Sequence, residues 1–126
     1  MFERSFSVRI FIVCPVRKVD ERTNDSIHQH VLELEGKGHH VHWPLRDTDQ
    51  SDTHGIAICT ANREAIFAAD EVHIWFDSTS QGSLFDIGMA FAFLRVIEKK
   101  VVLINKDSIK PTDHKSFNNV LLKLSE

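Results

Sequence analysis

The stretch VRIFIVC, residues 8–14, decides the fold: it is short, rich in β-branched residues and apolar everywhere except Arg9. A strand with one wet face would alternate polar and apolar positions, so this run reads as a strand covered on both faces of a parallel sheet. Similar runs recur at residues 39–43, 71–76 (EVHIWF) and 100–104 (KVVLI). Helical patterns separate them. Thr23 or Asn24 is placed to cap a helix whose Ile27, Val31 and Leu34 share one stripe, and Gly36 and Gly38 end it. A polar segment, residues 45–53, leads to a second helix carrying Ile58, Cys59, Ala65, Ile66 and Ala69, which stops at Ala69 or Asp70. Residues 82–94 read as a third helix and 117–124 as a closing one. The order βαβαβαβα predicts an α/β domain: a parallel sheet of four to five strands with helices on both faces and right-handed crossovers. Ligands in such sheets sit at the carboxyl ends of the strands, which points to residues 15–20, 44–54, 77–82 and 105–115.

The 126 residues, 42% of them hydrophobic, fall below the roughly 150 that serve as a prior for one domain, so a single domain over residues 1–126 is expected. No repeat, linker or low-complexity tract interrupts it. Fifteen Lys and Arg against eighteen Asp and Glu leave a net charge of −3, which argues against a surface built to neutralise a nucleic-acid backbone. The longest uncharged apolar run, residues 10–16, has seven members, far short of the ~18 that span a bilayer. Neither a nucleic-acid polymer nor a membrane is an expected partner. Arg17 and Lys18 follow the apolar run directly, so no secretory leader is expected. Two cysteines, Cys14 and Cys59, cannot build a disulfide framework and fit a reducing cytoplasm.

The helix over residues 82–94, GSLFDIGMAFAFL, is apolar nearly all round. Leu84, Ile87, Phe91 and Leu94 form one stripe, and Phe85, Met89, Ala92 and Phe93 another. One sheet face cannot cover both, so the second stripe is expected to meet another copy of the chain, unless loops and the last helix cover it. Asp86 stands in the first turn of this helix among phenylalanines. An unpaired buried carboxylate is destabilised and its pKa rises, so it must be paired, protonated or open to a ligand cleft; stabilising the helix dipole is the plainer alternative. Just ahead lies Ser80-Gln81-Gly82-Ser83, where a strand gives way to the helix. Amides of a first helical turn are unsatisfied and attract anions. Gly82 permits close approach, and Ser80 and Ser83 add hydroxyl donors. Capping alone explains the same residues.

Other constellations say less. The eight histidines include His28 and His30, two apart on a helix and therefore on different faces, and His40 and His42 on one face of a short strand without a Cys or carboxylate at ligand spacing. No metal is expected; the strand histidines read as a solvated edge and His73 as a hydrogen-bonded structural residue. Asp47, Asp49 and Asp52 lack the glycine and terminal carboxylate of a calcium loop. Cys14 has no phosphatase-like arginine spacing after it and reads as a packed thiol.

The spacing Ser80-x-Gly82-x-x-x-Asp86-x-Gly88-x-Ala90, preceded by Ala69-Asp70 and a strand, resembles the nucleoside 2-deoxyribosyltransferase superfamily, closest in motif to its 2′-deoxynucleoside 5′-monophosphate N-glycosidase branch. The resemblance implies a flavodoxin- or Rossmann-like domain that works as a dimer or higher homo-oligomer. It also implies a small-molecule nucleoside or nucleotide ligand and no cofactor. Arg17 falls six residues after Phe11, where the glycosidase branch has an arginine six after an aromatic, so the loop with Phe11, Cys14 and Arg17 is implied in phosphate or substrate binding together with Ser80, Gly82 and Ser83. Transferases carry an aspartate where Ser80 stands, to hold a free 5′-hydroxyl. A serine suits a phosphate, which a carboxylate would repel.

Asp86 takes the place of the family's nucleophilic glutamate and Asn62 that of a helper carboxylate. The implied chemistry is attack of the acid on C1′, departure of the base, and resolution of a glycosyl ester by water or a second base. The loop of residues 44–54 would close over the base, with Trp43 or His54 stacking there, and Asn118 or Asn119 would reach a neighbouring subunit's site. Three departures stand out. Asp86 is shorter than glutamate by one C–C bond, about 1.5 Å; Asn62 cannot act as an acid or base; and Cys14-Pro15 replaces the usual glycine and serine. The expected function is hydrolysis of the N-glycosidic bond of a nucleoside 5′-monophosphate; the alternatives are a non-catalytic nucleotide-binding module and a nucleoside transferase.

Overall fold

A computed structural model describes residues 6–126. Four strands, β1 (Arg9–Val13), β2 (His40–His42), β3 (Glu71–Ile74) and β4 (Lys100–Leu103), form one parallel sheet in the order β2-β1-β3-β4. Ile12 pairs with His73, and Val72 with Val101. The domain is therefore α/β and Rossmann-like, with four strands among the described residues. Side chains along β1 alternate between two cores. Ile10, Ile12 and Cys14 join Ile27, Val31 and Trp43 on one face, while Phe11 and Val13 join Ile66, Val72, Ala90 and Leu121 on the other. Both sides of β1 are dry, which is why its sequence shows no polar alternation.

Helix α1 (Glu21–Gly36) covers the first face; α3 (Ile56–Ala68), α4 (Gln81–Leu94) and α5 (Phe117–Leu124) cover the second. Helix α1 starts earlier than its apolar stripe suggests, because the Asp20 carboxylate accepts the Thr23 N–H at 2.7 Å. Asp20 is the N-cap in place of Thr23 or Asn24, and the first turn stays polar because it faces solvent. The expected polar loop after β2 holds a one-turn helix, α2 (Pro44–Asp47). Pro44 sits where its missing N–H costs nothing, and Asp47 Oδ2 accepts the Trp43 N–H at 2.9 Å. Helix α3 begins after Gly55, whose φ of 85° is left-handed. Asp52 Oδ2 accepts the Ala57 N–H at 2.7 Å, so this acid serves a helix start.

The two apolar stripes of α4 do not separate one to the sheet and one to solvent. Its most buried line is Ser83, Asp86 and Ala90, between the stripes. Ile87 and Leu94 from one stripe and Met89 and Phe93 from the other flank that line and pack on the core. Phe85 and Phe91, one from each stripe, remain 57% and 49% exposed. Small residues on the central line let the helix lie close to the sheet. No helix among the described residues is long and apolar enough to cross a membrane, and no group of three or more His, Cys, Asp or Glu among them is placed to hold a metal ion.

Candidate active site

Asp86 lies in the second turn of α4, facing α3. It is 7% exposed, and its partner Asn62 on α3 is 6% exposed. Asn62 Nδ2 donates to Asp86 Oδ2 at 3.3 Å, long for a bond to a charged acceptor. No basic side chain among the described residues pairs with this carboxylate. Burial pushes its pKa up to about 6, and the Asn62 hydrogen bond pulls only partly against that. Near neutrality Asp86 is thus ionised, dry and poorly compensated. Acids perturbed by burial in this way concentrate at functional sites.

Cys14, at the end of β1, is buried, and desolvation, with Asp86's charge adding, pushes its thiol up to about 12. A thiol held so firmly protonated is no nucleophile. Behind Asn62 the polar contacts continue. Thr48 Oγ1 donates to Asn62 Oδ1 at 2.8 Å and lies 2.8 Å from His42 Nε2.

Several implied ligand residues are otherwise engaged. Phe11 is fully buried and stacks on His42 at 5.4 Å, so it is a core residue with no face for a ligand. Trp43 is likewise core, its ring tilted against His28 at 5.3 Å. Its indole N–H makes no full hydrogen bond; a weak approach to the Cys14 sulfur lowers that thiol slightly against the larger effect of burial. A base cannot stack on Trp43 without opening that core. His54 is exposed on the turn before α3, 4.0 Å from Asp52. Asn119 is committed within its own chain: Nδ2 donates to the Thr112 and His114 carbonyls, and Oδ1 accepts the Thr112 N–H. It latches the loop ahead of α5. Asn118 donates to the Lys110 carbonyl at 2.9 Å.

At the start of α4, Ser80 is the N-cap. Its Oγ accepts the Ser83 N–H at 3.3 Å and lies 2.8 Å from the Ser83 hydroxyl. Ser83 is buried and turned inward, while Gly82 is exposed. The solvent-facing surface at this helix start is therefore Gly82 and the outer side of Ser80. Arg17 is exposed on the loop after β1. Beside that loop a polar cleft of about 420 Å³ opens at the carboxyl ends of β1, β3 and β4, lined among others by Lys18, Asp20, Trp75, Asp77, Asn105 and Asn118. Asp86, Asn62, Arg17 and Ser80 do not line this cleft; the carboxylate lies deeper, on the α3–α4 side of the sheet.

Two residues of this region escape a reading by spacing: His42 and Thr48. His42 is half-buried between Phe11 and Thr48, whereas a solvated strand edge was the expectation. The signal was present in the period of two. Val41 packs on the α1 face, so His42 must point to the α3 face.

The class these observations define is a Rossmann-like α/β domain with an isolated buried acid on the helix after the third strand. Among solved structures, the chain is similar to the CMP N-glycosidase BcmB of Clostridium botulinum, with a TM-score of 0.56 and 22% identity over 93% of this chain and 82% of that one. That likeness establishes the fold. No family model and no curated protein matches the chain.

Proposed function

We propose that the chain belongs with the nucleoside 2-deoxyribosyltransferase superfamily and cleaves the N-glycosidic bond of a nucleoside 5′-monophosphate, with Asp86 as nucleophile and Asn62 orienting it. The observation that carries this reading is the Asp86 carboxylate, buried without a cation and touched by one neutral donor. In this scheme an ionised Asp86 oxygen attacks C1′. The C1′–N bond breaks with its electron pair leaving on the base, and water then hydrolyses the glycosyl ester to free the sugar phosphate. Asn62 cannot protonate the departing base, so that proton comes from solvent or a second group. Arg17, Ser80 and Gly82 hold the phosphate at the helix N-terminus.

A second copy of the chain completes the unit. An apolar groove of about 350 Å³ between α4 and α5, lined by Leu84, Gly88, Phe91, Phe117 and Val120 among others, supports this. Sedimentation should return a dimer mass that Phe91→Glu reduces to a monomer.

A binding module without turnover is the second reading, favoured by the low exposure of Asp86 and the amide at residue 62. One assay separates these readings. The chain is incubated with each ribo- and deoxyribonucleoside 5′-monophosphate and free base is followed by chromatography. Release that Asp86→Ala abolishes supports the glycosidase. Tight binding without release supports the module, and transfer to a second base without need of phosphate supports a transferase. The absence of both binding and release overturns the nucleotide reading.

A further inference from the structure

A polar chain runs from the edge strand to Asp86, and its last member fixes its direction. A carboxylate only accepts hydrogen bonds, so Asn62 must turn its amide N–H toward Asp86 Oδ2. Asn62 Oδ1 then faces Thr48 Oγ1 at 2.8 Å. The single hydroxyl proton of Thr48 goes to that oxygen, which leaves Thr48 to accept from His42 Nε2 at 2.8 Å. Neutral His42 is therefore the Nε2–H tautomer. Its ring plane is set by Phe11, stacked 10° from parallel. Thr48 is as dry as Asn62, each at 6% exposure, so water cannot readily replace a lost partner.

We infer that His42 and Thr48 are positioning residues: they lock the Asn62 amide with its N–H toward Asp86 and so hold the carboxylate ready for the reaction. The catalytic consequence rests on the function proposed above; the lock itself is a property of the folded chain. Without the Thr48 hydroxyl, Asn62 Oδ1 loses its partner. The amide is then free to turn its oxygen toward Asp86, which disfavours the ionised acid. Cys14, just past the end of β1, packs on the opposite face of the sheet and feels the Asp86 charge only through space, and Asp47 and Arg46 from α2 act on His42 in opposite senses; none of these replaces the lost donor.

The test is a side-chain carboxyl ¹³C titration of Asp86 in the full chain, beside base-release kinetics on cytidine 5′-monophosphate. Thr48→Val keeps the shape and removes the hydroxyl. It should raise the Asp86 midpoint by about half a pH unit or more and lower kcat by about tenfold with KM nearly unchanged. Thr48→Ser should restore both. His42→Phe, which keeps the ring against Phe11, should shift the midpoint in the same direction by less. Should Thr48→Val fail to fold, His42→Phe carries the test. A midpoint that stays at the wild-type value in the folded variants, with only thermal stability reduced, overturns the proposal. The two readouts fail separately. A moved midpoint without base release from any ribo- or deoxyribonucleoside 5′-monophosphate leaves the lock standing and removes the glycosidase reading, while base release with an unmoved midpoint does the reverse.

Discussion

Two chains of buried polar groups lie on opposite faces of the sheet, and they end differently. On the α1 face, His30 Nε2 meets His73 Nδ1 at 2.8 Å, and His73 Nε2 meets Glu71 Oε1 at 2.9 Å. Glu71 can only accept, so every proton in that chain is placed, and the carboxylate at its end is partly open to solvent. On the α3 face, the chain from His42 ends on Asp86, a carboxylate that solvent barely reaches. A polar chain that ends in water serves the architecture. One that ends on a buried charge lowers stability.

The difference also sets opposite responses to pH. Desolvation holds His30 and His73 below the ordinary histidine value. The unfolded chain then takes protons first, so stability from this cluster is intact above about 6.5 and declines as the pH falls through the folded values. Asp86 is raised to about 6 from 3.8. Its folded form takes the proton first, so its penalty is absent in acid and grows as the pH rises between those two values.

The largest effect should come from Asp86→Ala, which removes the nucleophile and should cut base release by at least about 1000-fold, measured as free base per hour. A variant that retains most activity would place the chemistry elsewhere. Next, Asp86→Asn should raise stability at pH 8 by up to roughly 3 kcal/mol, the value of a two-unit shift, with the gain gone by about pH 4, near the ordinary carboxyl value. Urea melts at both pH values check it, and a loss of stability at pH 8 would mean that the carboxylate has compensation. His73→Phe should do the reverse at pH 8, costing about 1–3 kcal/mol by orphaning the His30 N–H while leaving base release intact. Its stability should also fall less steeply than wild type on acidification. The smallest effect belongs to Ser80→Ala, a lost N-cap worth about 1 kcal/mol. If Ser80 also holds phosphate, KM for the nucleotide rises in that variant.

The sheet and its helix order were legible because β1 announces burial on both faces and the connecting segments are periodic. Helix α5 lies at the expected residues 117–124, since Ser116 caps it and its stripe is clean. Helix α2 was hidden: four residues carry no period, and its sole sign is Pro44 after Trp43. On the site side, Asp86 was conspicuous as a lone acid among phenylalanines, and the Asn62 contact followed from a resemblance rather than from local pattern. The links from His42 to Thr48 and from Thr48 to Asn62 span six and fourteen residues across three elements, and no spacing rule reports a contact made by the fold. The packing of Phe11 and Trp43 in the core and the intrachain bonds of Asn119 are not legible for a related reason, because an aromatic or an amide looks the same in sequence whatever surrounds it.

The isolated charge can be observed without any substrate. In the unmodified chain, the ¹³C titration of the Asp86 carboxyl should show half-protonation near pH 6, and the resonance should vanish in Asp86→Asn. A midpoint at or below the ordinary aspartate value of about 3.9 would show a carboxylate already satisfied by its surroundings, and would contradict its assignment as the reactive group.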